Sequence, residues 1–320
     1  VACCPTLDFV IDILDGQDSP GGLHGAYTYR FACERLGRYR LRCAVEAGEL
    51  VGFGRGVLLD ARRVLDLRTR CAGALLLTGD TGVVVGPTAA ALHGCSAVGG
   101  FPVHVRVPYV RRVRSRNGLV VHQGDVPERD VRVLDDLRVL PMDLAVADVL
   151  CSAPRRTALA CVDQAMRGLR PEDRPGFAAD VAGRLAERVD RRGTRRAEAL
   201  LSLATGLPES PVQSAFVLVL ADAGFPRPVC QYPVRDRTGR VRWHLDFAWP
   251  QLRVALECDS ADVPWDRNPD WYPGRSAEAR SEDLRAKGWL MVRAEAADLS
   301  DPTSLCIRLR TAMNQRRYAA

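Results

Sequence analysis

The stretch from residue 243 to residue 260, "WHLDFAWPQLRVALECDS", reads as two apolar strands separated by a short Trp-Pro turn. Each strand carries a carboxylate where a core strand would carry another Val or Leu. These are Asp246 in the first and Glu257 in the second, with Asp259 two places further along. Burying a carboxylate among Leu, Phe and Val is costly unless a cation or hydrogen-bond donors meet it, and two on adjacent strands repel each other. A hard divalent ion such as Mg²⁺ answers both problems, because it takes carboxylate, water and phosphate oxygens as ligands. An arginine partner is the other answer, with Arg242 and Arg253 as the candidates, and an exposed strand end would need neither. Glu257 and Asp259 share one strand face if the strand stays regular that far.

The surrounding sequence extends these strands into a layered unit. Ser210 is a natural helix N-cap, Pro211 suits the first turn, and Gln213 sits three places after the cap. That helix runs through Phe216, Leu218 and Leu220 until Gly224 and Pro226 stop it. "QYPVRD" and "RVRWHLDFAW" form a hairpin across "RTG", and "LRVALECDS" adds a third strand. A polar loop follows at about residues 261–274, then the helix "SAEARSEDLRAK" ended by Gly288, the strand "WLMVRA", and a last helix from "DPTSLCIRL" onward. The order is α-β-β-β-α-β-α around a mixed sheet.

In "GFPRP", "LDFAWP", "RVALE" and "GW", residues 207–315 resemble the very-short-patch-repair-like branch of the PD-(D/E)XK nuclease superfamily. The resemblance implies a restriction-endonuclease-like α/β core, Mg²⁺-dependent phosphodiester hydrolysis and DNA as substrate. It assigns the motif's Asp to Asp246, the acid of the next strand to Glu257, and the second acid to Asp259. Asp246 and Glu257 would then be the metal ligands. The chain departs from the family pattern at Gln213, where an acid is common, and at Ser260, where a glycine is common. The usual following His is absent, and Asp259 stands at the position of the motif's Lys. Lys287, the lone lysine, either substitutes for that catalytic group from the following helix or complements the helix dipole beside Gly288.

Nearer the N-terminus, "YRFACERLGRYRLRCAVEAGELVGFGRGVLLDA" reads as two short helices with Gly37 between them, then a strand, a glycine-rich turn and a strand. This is the order of a winged helix-turn-helix, whose second helix lies in the major groove. Arg38, Arg40 and Arg42 fall on that helix, and Arg55 falls at the hairpin tip, within reach of a phosphate. A small helical subdomain with a solvated basic face has the same pattern. With "GPTAAALHG", this part resembles abortive-infection antitoxin-type proteins.

Between the two, "FPVHVRVP" is a strand, "VRSRNGLVVHQ" a hairpin turned at Asn117-Gly118, and the rest up to residue 206 largely helical. His93, His104 and His122 are dispersed and read as structural or surface histidines.

A chain of 320 residues is long enough for two or three cores. No apolar run is long enough for a membrane span, and the acidic start lacks the basic region of a signal peptide. Eleven cysteines without a C-x-x-C pair fit a reducing cytoplasm. The net charge is +6, with four acids and no base in residues 1–29, then ten arginines against five acids in residues 30–70. The expected organisation is a multidomain α/β chain. An acidic leader occupies 1–24, a winged helix-turn-helix 25–70, an α+β connector 71–206 and a nuclease-like domain 207–320. The expected function is a cytoplasmic DNA-binding protein with a Mg²⁺-dependent endonuclease domain. The alternative is a non-catalytic, antitoxin-like transcriptional regulator with a toxin or other protein partner.

Overall fold

A computed structural model describes residue 14 and residues 22–79, 81–111, 113–259 and 277–318. The architecture is mixed α/β, with three sheets among the described residues. The chain divides into two compact units, one of residues 1–153 with 179–194, the other of residues 154–178 with 195–320.

In the first unit, β1 (Gly22–Leu23) and β2 (Ala26–Thr28) lead into α1 (Tyr29–Leu36) and α2 (Arg38–Glu46). The hairpin of β3 (Leu50–Gly54) and β4 (Val57–Asp60) follows, in an antiparallel sheet of order β1-β2-β4-β3. Thr28 caps α1, its hydroxyl accepting the Phe31 N–H. Gly37 separates the helices at a φ of 77°, a conformation that side chains with a Cβ rarely adopt. Leu14, Tyr27, Phe31, Leu36, Leu41, Leu50 and Leu58 close the core between the helices and this sheet. The helix, glycine, helix and hairpin expected in 25–70 are all present. Strands β1 and β2 were not expected, and Leu14 is the one described residue of the expected leader before Gly22.

The same unit continues with α3 (Leu67–Thr78), β5 (Val83–Val84), α4 (Gly86–Leu92), β6 (Val103–Val107) and β7 (Leu119–Gln123). Strands β8 (Arg132–Leu134) and β9 (Leu137–Val139) and helix α5 (Met142–Ser152) follow. The sheet order is β7-β6-β5-β9-β8, with β6 parallel to β7. The expected hairpin at Asn117-Gly118 is therefore corrected. The turn exists, with Gly118 at a φ of 78° and a bridge from Arg116 to Leu119, but β7 finds its partner in β6.

The second unit contains α6 (Arg155–Arg167), and α7 (Arg174–Ala186) divides between the units. After α8 (Thr194–Leu203) come α9 (Pro211–Asp222), β10 (Val229–Arg235), β11 (Val241–Trp249), β12 (Val254–Asp259), α10 (Ala277–Ala286), β13 (Leu290–Glu295) and α11 (Thr303–Tyr318). From α9 onward this is the α-β-β-β-α-β-α order expected. The four strands lie in chain order, with β11 antiparallel to both neighbours and β12 parallel to β13. In this division residues 71–206, expected as a connector, fall partly in each unit. The polar loop expected at 261–274 lies outside the described residues.

Candidate functional site

Three part-buried or buried carboxylates of the second unit differ in how completely they are satisfied. Asp163 of α6 is fully paired. Its Oδ1 accepts the N–H groups of Thr205 and Gly206, both at 2.9 Å, and its Oδ2 accepts the Ser214 hydroxyl at 2.8 Å. Burial pushes its carboxyl above the usual range, against the pull of those three donors. Its task is to fasten the end of α8 and the start of α9 to α6.

Asp246 sits where β11 and β12 part. Their paired register ends at Phe247 opposite Leu256, and two residues further along β12 the Cys258 N–H donates to Asp246 Oδ2 at 2.8 Å. A side-chain oxygen thus replaces a backbone carbonyl at the fork. Asp246 Oδ1 accepts from Gln213 Nε2 at 2.9 Å and, at 3.4 Å, from Gln231 Nε2. Burial raises the Asp246 carboxyl, while the Cys258 N–H and the charge of Arg280 pull it down. Gln213 also serves the helix end, its Oε1 accepting the Glu209 N–H at 2.6 Å while Ser210 Oγ accepts the Gln213 N–H at 3.2 Å. Capping and acid-holding are one arrangement here.

Glu257, on the adjoining strand, is the least satisfied of the three. Its Oε2 pairs with Arg280 Nη2 at 2.8 Å, its side chain is 17% exposed, and its buried Oε1 has no hydrogen-bond partner. Burial pushes its carboxyl up to about 7; the Arg280 charge opposes that push and the Asp246 charge adds to it. Orphaned buried oxygens are uncommon because each costs the desolvation of an acceptor. The Asp246 N–H pulls the Glu257 carboxyl down a little, while the Asp246 carboxylate is close enough to repel it.

Arg280 was not anticipated, and Arg242 and Arg253 are not the partners of these acids. Arg242 pairs with Asp283 at 3.2 Å, and Arg253 donates to the Lys287 carbonyl at 3.1 Å. Arg280 bridges Glu257 and the His244 carbonyl, the latter at 2.9 Å. The available signal was spacing, for Arg280 lies four before Leu284, the buried residue that α10 turns toward the sheet. Lys287 belongs to a different cluster, with Nζ 2.6 Å from Asp283 Oδ1, while Trp243 Nε1 donates to Asp283 Oδ2 at 2.7 Å. Asp259 closes β12 opposite Glu295, and its side chain lies outside the described residues. Among the described residues no group of three His, Cys, Asp or Glu side chains converges at metal-binding distance.

In the first unit the candidate nucleic-acid contacts are exposed. Arg38 and Arg40 stand in solvent on α2, and Arg55 occupies the turn of the β3–β4 hairpin. None of the three makes an ion pair among the described residues. Arg42 lies 3.7 Å from Glu46 across one helical turn and 5.6 Å from the ring centre of Tyr39, both highly exposed contacts. His104 and His122, dispersed in sequence, meet across β6 and β7, with Nδ1 of the first 3.1 Å from Nε2 of the second. Burial lowers both below the usual imidazole range.

No family model matches the chain. It is 33% identical over 287 residues to two curated proteins of Mycobacterium tuberculosis, Uncharacterized protein MT2308 from strain CDC 1551 / Oshkosh and Uncharacterized protein Rv2248 from strain ATCC 25618 / H37Rv. Each match covers 88% of this chain and 99% of the relative. A crystal structure of the Rv2827c protein from the same organism superposes with a TM-score of 0.41 at 15% identity, over 66% of this chain and 79% of that one. That likeness is too distant to decide fold or function. Among the described residues no helix is long and apolar enough to cross a membrane.

Proposed function

This chain belongs to the family of the Mycobacterium tuberculosis proteins MT2308 and Rv2248, and we propose that it is a DNA-binding protein whose second unit is a Mg²⁺-dependent endonuclease domain. The observation that carries the nuclease reading is the orphaned, buried Oε1 of Glu257 beside Asp246 at the fork of β11 and β12. Hard oxygen donors at a strand fork fit a hard divalent cation, which Glu257 Oε1 and Asp246 would hold. Such an ion, when bound, polarises a phosphodiester and lowers the pKa of bound water. The chain's own residues orient the ligands. Cys258 N–H and Gln213 fix Asp246, and Arg280 holds one oxygen of Glu257. The element order and the single reversed strand support a restriction-endonuclease-like core.

DNA binding is assigned to the first unit, read as a winged helix-turn-helix. Its α2 carries Arg38, Arg40 and Arg42, with Arg38 and Arg42 one turn apart on the same face toward the groove, and the hairpin presents Arg55 to a neighbouring phosphate. The helix, glycine, helix and hairpin in that order support this.

Two observations favour the non-catalytic reading, that of an antitoxin-like regulator. Arg280 already supplies a positive charge to Glu257, and Gln213 stands where a third acid is common. Supercoiled plasmid incubated with the protein in millimolar Mg²⁺, and again with EDTA, separates the two. The endonuclease reading expects nicking or linearisation that EDTA, Glu257→Gln and Asp246→Asn each abolish. A plasmid left intact, with a duplex still shifted in a gel, leaves the regulator. The triple replacement of Arg38, Arg40 and Arg42 by Ala is expected to lower the salt slope of binding by about 1 per lost phosphate contact. An unchanged slope would remove α2 from the interface.

A further inference from the structure

The loop between β6 and β7 carries a charge pattern that the winged-helix reading does not use. From Thr81 to Gly124 the chain contains no Asp or Glu, yet it holds Arg106, Arg111, Arg112, Arg114 and Arg116. Arg106 is answered by Asp148 at 3.3 Å. Arg111, Arg114 and Arg116 are exposed and make no ion pair among the described residues. In the same loop Tyr109 is 72% exposed and Val110 87%. Other arginines of the unit are held by carboxylates, as where Arg184 joins Asp143 at 2.6 Å and Asp130 at 3.0 Å.

The loop has a built shape. Gln123 Nε2 donates to the carbonyls of Arg111 and Val113, each at 3.4 Å, and the Ser115 hydroxyl accepts the Val121 N–H at 2.9 Å. Arg116 and Leu119 exchange backbone hydrogen bonds of 2.9 and 3.0 Å around the Gly118 turn. Tyr109, Arg111, Val113, Arg114 and Gln123 line an open hollow of about 290 Å³.

The loop also reaches the hairpin. A Cβ on Gly54 would meet Arg116 Nη1 at 2.7 Å, so the missing side chain leaves room for that guanidinium next to Arg55. Arg70 lies 4.5 Å from the ring centre of Phe101, two residues before β6, and 5.7 Å from that of Phe53 on β3.

We propose that this loop is a second phosphate-binding element, continuous with the hairpin, and that one DNA duplex is contacted from Arg55 through Arg116 to Arg114 and Arg111. The chemistry argues for a polyanion. Guanidinium groups pair bidentately with phosphate oxygens, and a fixed row without carboxylates has no internal competitor for them. The loop positions the duplex, whereas base reading stays with α2. This inference rests on the DNA reading of the first unit.

The test uses the full chain and a labelled duplex, with binding measured across a salt series and the footprint mapped by hydroxyl radicals. Replacing Arg111, Arg114 and Arg116 together by Ala is expected to lower the slope of log affinity against log salt by about 3. Protection should vanish from one end of the footprint. Replacing Arg111 and Arg114 alone keeps the Arg116 contact with the hairpin, and should lower the slope by about 2. A duplex bound with wild-type slope and full footprint by both variants overturns the loop proposal and leaves DNA binding by α2 standing. Binding only to single strands, or only to duplex RNA, overturns it as well. A wild-type chain that binds no duplex at all overturns the DNA reading and this inference together.

Discussion

Arg40 and Arg280 carry the same guanidinium, yet Arg40 stands in solvent on α2 while Arg280 lies 23% exposed against the carboxylate of Glu257. In the first unit the described arginines of α2, the hairpin tip and the β6–β7 loop are exposed and, apart from Arg42 beside Glu46, make no ion pair among the described residues. In the second, Arg280 is set against the buried carboxylate of Glu257. An exposed, unpaired cation contributes almost nothing to stability and is available to a polyanion; a cation against a buried carboxylate is a condition of folding. The number of arginines therefore says little about a partner, and their pairing says much.

The largest expected effect tests the fully paired acid. Asp163→Ala strands the Thr205 and Gly206 N–H groups and the Ser214 hydroxyl, and should cost about 3 kcal/mol in urea unfolding. Magnesium should not change that loss. A cost below about 1 kcal/mol would mean that Asp163 fastens nothing.

The second sharpens the contrast between Asp163 and Glu257. A carboxyl raised from 4.5 to about 7 on folding binds more protons in the native state between those values, so the Glu257 contribution falls as pH rises through that window. The difference in unfolding free energy between wild type and Glu257→Gln should shift by on the order of 3 kcal/mol from pH about 4.5 to about 7, the wild type losing ground. A difference flat with pH would sink the unsatisfied-carboxylate account.

Third, Mg²⁺ should raise the wild-type melting temperature, by about 1.4 kcal/mol of stability at ten times its dissociation constant. The rise should be larger above pH 7 than near pH 6, because the ion competes with a proton on Glu257, and absent in Glu257→Gln. Melting indifferent to millimolar Mg²⁺ favours the regulator. The smallest effect belongs to Lys287→Ala, which removes a part-exposed pair with Asp283. It should cost less than about 1 kcal/mol and leave Mg²⁺ binding unchanged. Loss of Mg²⁺ binding in that variant would return Lys287 to the site.

The second unit was the more legible in sequence. Its strands are bounded by Gly and Pro, its first helix is capped by Ser210, and its acids stand out because they interrupt apolar strands. Arg280 was hidden because α10 is charged on nearly every side, so only its distance from Leu284 marks an inward face. Asp163 was hidden for a related reason, since an Asp within an amphipathic helix reads as solvated until the chain returning through Thr205 and Gly206 covers it. The second sheet escaped as well. Strand β5 has two residues, and β6 pairs in parallel with β7, a partner that no local turn signals. His104 and His122 are diagonal neighbours in that register, facing Val120 and Arg106, and their contact could not be read without it.

Gln213 has a consequence beyond satisfying its neighbours. Its amide accepts from Glu209 at one end and donates to Asp246 at the other. A carboxylate of the same length could serve the first and not the second, and an ammonium the reverse. The side chain thus acts as a strut of fixed polarity between the start of α9 and strand β11. Sliding α9 by one residue, a rise of about 1.5 Å, would break the bond to Asp246 while the local bond to Glu209 travelled with the helix. The helix start and the acid-bearing strand are held at one spacing, and any motion of the fork must carry α9 with it.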